Sequence, residues 1–306
     1  MPDTWLAGSR FLLYLSLMLA FGVPAFVWYS TRRLALDLPV IGRIQGLTGG
    51  AIVVALAASV LALAAMASQM SGTAEPSEVW ATAWIVLTQT TVGLTWSIRM
   101  VALVVALGVV GITRRNRFSS LAVAFLCAAA LATLAWTGHG AMSDGGAGLL
   151  HVGADILHLI FAGAWLGAIA VLALVAASAA RTSDRGELRL LAEASSGFAN
   201  IGVLIVAVLV VTGTINYVMT VGPTLTGLVS EPYGRLLLAK LGAFAAMLLL
   251  AASHRFRLVP RLERALADCN ALHATSALKR SLWCEAFLAV LILGLVSWLG
   301  MLNPTG

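Results

Sequence analysis

The sequence predicts an all-α fold, a polytopic transmembrane helical bundle of about eight spans with both termini periplasmic. Three observations carry this reading. Of the 306 residues, 60% are hydrophobic and only 10% charged, with a mean hydropathy of +0.95. Soluble domains hold about 25% charged residues, and no soluble core could absorb this much apolar chain. Apolar stretches about 20 residues long recur, the length a helix needs to cross a bilayer, and none alternates like a barrel strand. Finally, the basic residues gather in every second loop.

The spans fall at about 10–29, 47–70, 93–113, 118–137, 150–178, 198–219, 233–253 and 281–300. The first runs from Phe11 to Trp28 with no small-x-small cleavage pattern behind it. It is long for a signal-peptide core and reads as a retained span. The second ends in Met66 and Met70, the third is set off from the fourth by a tight arginine turn, and the fourth contains Cys127. The fifth is the longest, the sixth ends at Asn216 and Tyr217, the seventh carries Lys240, and the eighth ends near Trp298. Two segments read as amphipathic and interfacial, about 76–91 and 260–278. The former has proline in its first turn and Trp80, Trp84 and Leu87 on one face; the latter has Leu262 and Leu266 among charges.

Orientation follows from charge. The loops after spans one, three, five and seven hold Arg32, Arg33 and Arg43; Arg114, Arg115 and Arg117; Arg181, Arg185 and Arg189; and Arg255, Arg257, Arg261, Arg264, Lys279 and Arg280. That is 15 of the 19 basic residues. The positive-inside rule makes those loops cytoplasmic, and the same distribution removes any need for nucleic acid to explain the net charge of +6. Arg99 and Lys240, about six residues into their spans, read as outer-interface anchors that snorkel. His254 reads as part of the inner interface. Cys127, Cys269 and Cys284 form no C-x-x-C pair, which argues against a thiol redox site.

The chain reads as a single integral membrane domain over 1–306, with half-repeats at 1–145 and 146–306. Gly93, Arg99 and Arg114 recur as Gly234, Lys240 and Arg255, and Gly8 and Gly22 recur as Gly153 and Gly167. A 4+4 parallel repeat, related by an axis along the membrane normal, would place the halves this way.

Chemistry concentrates at the start of span five, where His151, Asp155 and His158 are spaced i, i+4, i+7 on one stripe of a helix. Trp165 lies seven residues further along, roughly 10 Å deeper. Ionisable groups inside a span usually face protein or a wet cavity and suggest function. His139 and Met142 sit in the short loop just before, on the same side of the membrane. Imidazole, carboxylate and thioether together suit copper in either valence, so His139, Met142, His151, Asp155 and His158 are the candidate metal ligands. Binding should weaken below about pH 6, because the ligands must be deprotonated. Below Trp165, span five offers only Leu, Ile, Ala, Val, Gly167 and Ser178, so no inner metal ladder is legible there.

Span five (Gly-Ala-Asp-Ile-Leu-His-Leu-Ile-Phe-Ala-Gly-Ala-Trp-Leu-Gly), Thr-Gly-Thr-Ile-Asn-Tyr ending span six, and Tyr-Gly-Arg-Leu-Leu-Leu-Ala-Lys-Leu leading to His-Arg-Phe-Arg-Leu-Val-Pro-Arg-Leu carry a resemblance. In order and spacing they resemble the CopD family of bacterial inner-membrane copper-resistance proteins, best over 150–262. Two departures stand out: Trp-Leu-Gly-Ala where Trp-Leu-Gly-Gly is expected, and no histidine near Leu13 in span one. The resemblance implies a copper ion as cargo, movement across the inner membrane without covalent catalysis, and a periplasmic carrier of the CopC type as partner. Two alternatives stay open. One is a b-type haem or quinone-linked electron carrier using His139 or His151 with His158. The other is a copper sensor or assembly factor that does not transport.

Overall fold

The structure is a computed structural model that describes residues 2–30, 38–112, 117–137, 145–268 and 272–302. Its helices are α1 (Pro2–Ser30), α2 (Pro39–Ser71), α3 (Pro76–Gln89), α4 (Thr91–Ile112), α5 (Arg117–Ala132), α6 (Gly145–Thr182), α7 (Arg185–Val221), α8 (Pro232–Ser253), α9 (Val259–Ala267) and α10 (Leu272–Leu299). A 3₁₀ turn at Thr133–Thr137 follows α5, and a π turn at His254–Leu258 joins α8 to α9. Eight of the resulting helical stretches are long and apolar enough to cross a membrane, and no strand occurs among the described residues. "Outer" below denotes the end of the bundle away from the basic loops.

The helices overrun their apolar cores. Helix α6 has 38 residues, about 57 Å of rise at 1.5 Å per residue, against a hydrocarbon layer of about 30 Å. At the inner end of α7, Asp184 caps the helix by accepting from the Glu187 N–H at 2.9 Å. Glu187 is itself buried, accepting from the Ser178 and Thr182 hydroxyls at 2.9 Å each. Helix α10 begins at Leu272 rather than at 281, because Thr275, Leu278 and Leu282 keep the helical spacing and are buried in the core. The segment 260–278 is therefore divided between α9 and the first turns of α10. In α3, Trp80 and Trp84 are each 67% exposed, while Ala83 and Val86 pack on Leu63 and Ala67 of α2.

Helices α1 and α6 cross at the centre with backbone against backbone. A Cβ on Gly22 would stand 2.0 Å from the Gly163 carbonyl oxygen, and one on Gly167 would stand 2.0 Å from the Gly22 carbonyl carbon. Gly163 and Gly167 form a small-xxx-small pair, the pattern by which membrane helices approach closely when lipid supplies no hydrophobic drive. Around this crossing the contacts run in parallel: α1 packs on α2 as α6 packs on α7, α1 on α5 as α6 on α10, and α4 on α5 as α8 on α10. Gly93 and Gly234 also occupy matching places. A Cβ on either would strike backbone at Val86 and Leu87, or at Gly227 and Leu228, in the segment just before its helix. One pairing lacks its counterpart among the described residues. Helix α2 lies along α4, whereas α7 and α8 stand apart.

Arg99 is not an interfacial anchor. It is 2% exposed, and its Nε donates to the Thr133 hydroxyl at 2.8 Å, which ties α4 to the 3₁₀ turn after α5. Burying a guanidinium requires such partners, and Thr133 supplies one from a neighbouring helix.

Candidate functional site

The stripe on α6 faces protein along its length. His151 is 3% exposed, and its Nδ1 has no hydrogen-bond partner among the described residues. One turn deeper, the half-buried Asp155 accepts from Asn216 Nδ2 on α7 at 3.2 Å. His158 Nδ1 lies 2.9 Å from the Thr212 hydroxyl oxygen. That hydroxyl already donates its single hydrogen to the Val208 carbonyl at 2.7 Å. The network therefore assigns the proton to His158 Nδ1, donating to Thr212, and leaves Nε2 with a free lone pair. An oriented imidazole of this kind is what a metal ion requires of a ligand. Lys240 of α8 stands within electrostatic range of both Asp155 and His158.

The Thr-Gly-Thr-Ile-Asn-Tyr segment thus acts on the α6 stripe. Thr212 orients His158, Gly213 lies against its ring, Asn216 holds Asp155, and Tyr217 donates to the Thr224 carbonyl. Thr212 was not among the sequence candidates, although its place four residues before Asn216 on the same helix face could have flagged it.

The expected ligands do not all meet. His139 and Met142 lie outside the described residues, as does Cys269. Among the described residues, no three His, Cys, Asp or Glu side chains lie close enough to share an ion. Helix geometry explains this, since seven residues separate His151 from His158 and make about 10.5 Å of rise. The stripe is a ladder of single donors at successive depths. Of the outer methionines, Met66 packs against the Leu63–Val86 cluster and Met70 is exposed.

The inner half is not free of ionisable groups. Trp165 is buried, packs edge-on against Phe244, and donates its indole N–H to Glu285 Oε1 of α10 at 2.9 Å. Glu285 is 2% exposed, and its Oε2 faces His254 Nδ1 at 3.2 Å. His254 Nε2 in turn faces the Ser281 hydroxyl at 2.7 Å. His254 is therefore a buried-pair residue rather than interface decoration. A carboxylate inside the last span was the available signal.

Two cavities occupy the gap between α7 and α8. The outer one, about 380 Å³, is bordered by His158, Tyr217, Lys240 and Met247; the inner one, about 500 Å³, by His254, Arg255 and Glu285. Among the described residues Trp165 alone borders both.

A multi-pass inner-membrane helix bundle with a line of donors beside a cavity between two helices is the class that fold and site define. The chain belongs to the copper resistance protein D family. Residues 1–149 match the "Copper resistance protein D-like, N-terminal domain" and residues 192–299 match "Copper resistance protein D". The chain is 39% identical over 305 residues to copper resistance protein D of Pseudomonas syringae pv. tomato, covering 99% of this chain and 98% of that one. It is 30% identical over 269 residues to the inner membrane protein YebZ of Escherichia coli K12, covering 85% and 86% of the two. Copper transport protein CutJ of Bacillus subtilis 168 is 30% identical over 261 residues, 81% of this chain and 46% of that longer one. No solved structure matches the chain.

Proposed function

We propose that the protein accepts copper ions at the periplasmic face and moves them inward past the α6 ladder, without covalent chemistry. The observation that carries this reading is the pairing of His158 with Thr212, which leaves Nε2 unprotonated at the wall of the outer cavity. Family membership supplies the metal, since relatives carry copper resistance or copper transport in their names. His139, Met142 and His151 form the receiving end, Asp155 and His158 the next steps, and a CopC-type carrier delivers the ion. Single donors at successive levels suit a cargo that must leave as readily as it enters. An isolated charge in hydrocarbon is costly, and the imidazoles and carboxylate spaced along α6 supply the polar groups that lower that penalty.

Copper content and copper sensitivity of cells carrying His158→Ala test the proposal. Accumulation falls toward that of cells lacking the protein; unchanged accumulation together with unchanged sensitivity overturns it. Copper flux into liposomes separates transport from a sensor or assembly role.

The apolar wall of the outer cavity favours a second reading, a quinone or b-type haem beside His158. A Soret band in the purified protein selects haem, and extractable quinone selects the other carrier. A colourless, copper-loaded protein selects the first reading.

We infer also that the two halves descend from one four-span unit. The parallel contacts around the Gly22–Gly167 crossing and the matched surroundings of Gly93 and Gly234 support it. On that view the outer and inner cavities lie where the second half has opened the helix pair that the first half keeps closed.

A further inference from the structure

Glu285 presents an unusual charge problem. It is 2% exposed, deep in an apolar helix, and among the described residues receives the Trp165 indole N–H and the His254 ring. A buried carboxylate needs a neutralising partner, and among the described residues the imidazole is the one group in ion-pair contact with it. The guanidinium of Arg255, which also borders the inner cavity, is turned away. It donates to the Ala199 carbonyl on α7 and lies over the Phe256 ring.

The backbone is built to put His254 there. Pro260 lacks an N–H and its ring would clash with the carbonyl four residues back in a regular helix. The chain widens into the π turn instead, with the Val259 N–H reaching back to the His254 carbonyl. Such turns recur at functional sites. This one starts at His254 and leaves its ring on Glu285, beside an open cavity of about 500 Å³.

The donor geometry fits a small cation. His254 Nδ1 and Glu285 Oε2 are 3.2 Å apart. Two ligands bound at about 2.0–2.1 Å, with an angle of about 90–110° between them, stand roughly 2.8–3.4 Å apart. Imidazole and carboxylate are hard-to-borderline donors suited to copper or zinc, and Ser281 on the far ring nitrogen fixes the imidazole as an outer partner should. Cavity waters can complete the coordination. The position is also apt: the pair lies on the inner side of Trp165, with His158 on the outer side.

We propose that His254 and Glu285 form a second cation station, at the wall of the inner cavity, that takes a divalent copper ion after it passes Trp165. The indole bond to Glu285 is then a latch. An ion drawing on the carboxylate weakens its hold on the indole N–H, so occupancy of the inner station loosens the residue that separates the two cavities. The identity of the ion rests on the reading of the protein as a copper carrier; the existence of a station at this pair does not.

Copper titration of the detergent-purified full chain tests this, with bound metal counted by elemental analysis after gel filtration. Variants His254→Gln, Glu285→Gln and their double keep hydrogen-bonding groups, and thermal unfolding confirms that each is folded. Each single variant and the double lose one equivalent of copper, and adding His158→Ala to either single variant removes a second. Retention of the full complement by either folded single variant overturns the inner station. Retention by His158→Ala instead counts against the outer site and leaves the inner result to be read alone. If Glu285→Gln does not fold, His254→Gln decides.

Discussion

At the scale of single residues, the hydrogen-bond partners decide what each donor can do. His158 is fixed by a hydroxyl whose only proton is already committed to a carbonyl. Thr212→Val removes that partner but keeps the shape, so copper affinity should fall by about 10–100-fold, measured by competition with a chelator of known affinity. A variant with wild-type affinity would show that the ring is oriented by packing alone. Trp165→Phe keeps the stacking on Phe244 and deletes the indole N–H. A buried hydrogen bond to a charged group contributes about 1.5–3 kcal/mol, so denaturation in detergent should show a loss of that order. The pairings themselves were not legible in sequence, although Thr212 on the Asn216 face and the carboxylate within the last span were each visible singly. Trp165 and Glu285 are 120 positions apart and His158 and Thr212 are 54 apart, and nothing local announces either pair.

At the scale of elements, glycine placement separates close contact from coincidence. Gly22→Leu drives a side chain into the Gly163 carbonyl, and little folded protein should be recovered as a monodisperse peak. Gly8 belongs to the same helix, and a Cβ there meets nothing within 4 Å. Gly8→Ala should therefore express and elute as wild type. Equal behaviour of the two variants would refute the close crossing. The spans themselves were legible, because a bilayer demands about 20 apolar residues of any helix that crosses it. Their ends were less so. Helices α6 and α10 continue past the apolar stretch on buried contacts, which composition alone cannot reveal. The α6 stripe was also readable, since helical spacing puts His151, Asp155 and His158 on one face whatever they touch. Their meeting at one ion was not, because shared face does not mean shared depth.

At the scale of the whole molecule, the asymmetric loops make a topological prediction. Alkaline phosphatase fused to the C-terminus should be active and green fluorescent protein dark, as expected when both ends lie outside. The reverse pattern would invert the direction assigned to the ladder. Arg99 shows how far position in the chain can mislead at this scale. It reads as a residue reaching for the membrane surface, yet it is buried and braces a turn.

The bare crossing of α1 and α6 has a mechanical corollary. Where peptide lies on peptide at Gly22, no side chain cushions the contact, so a relative movement of α1 and α6 would turn about that point more easily than slide past it. A pivot at mid-depth makes any widening on one face a narrowing on the other. The slit between α7 and α8 would then breathe at one mouth at a time.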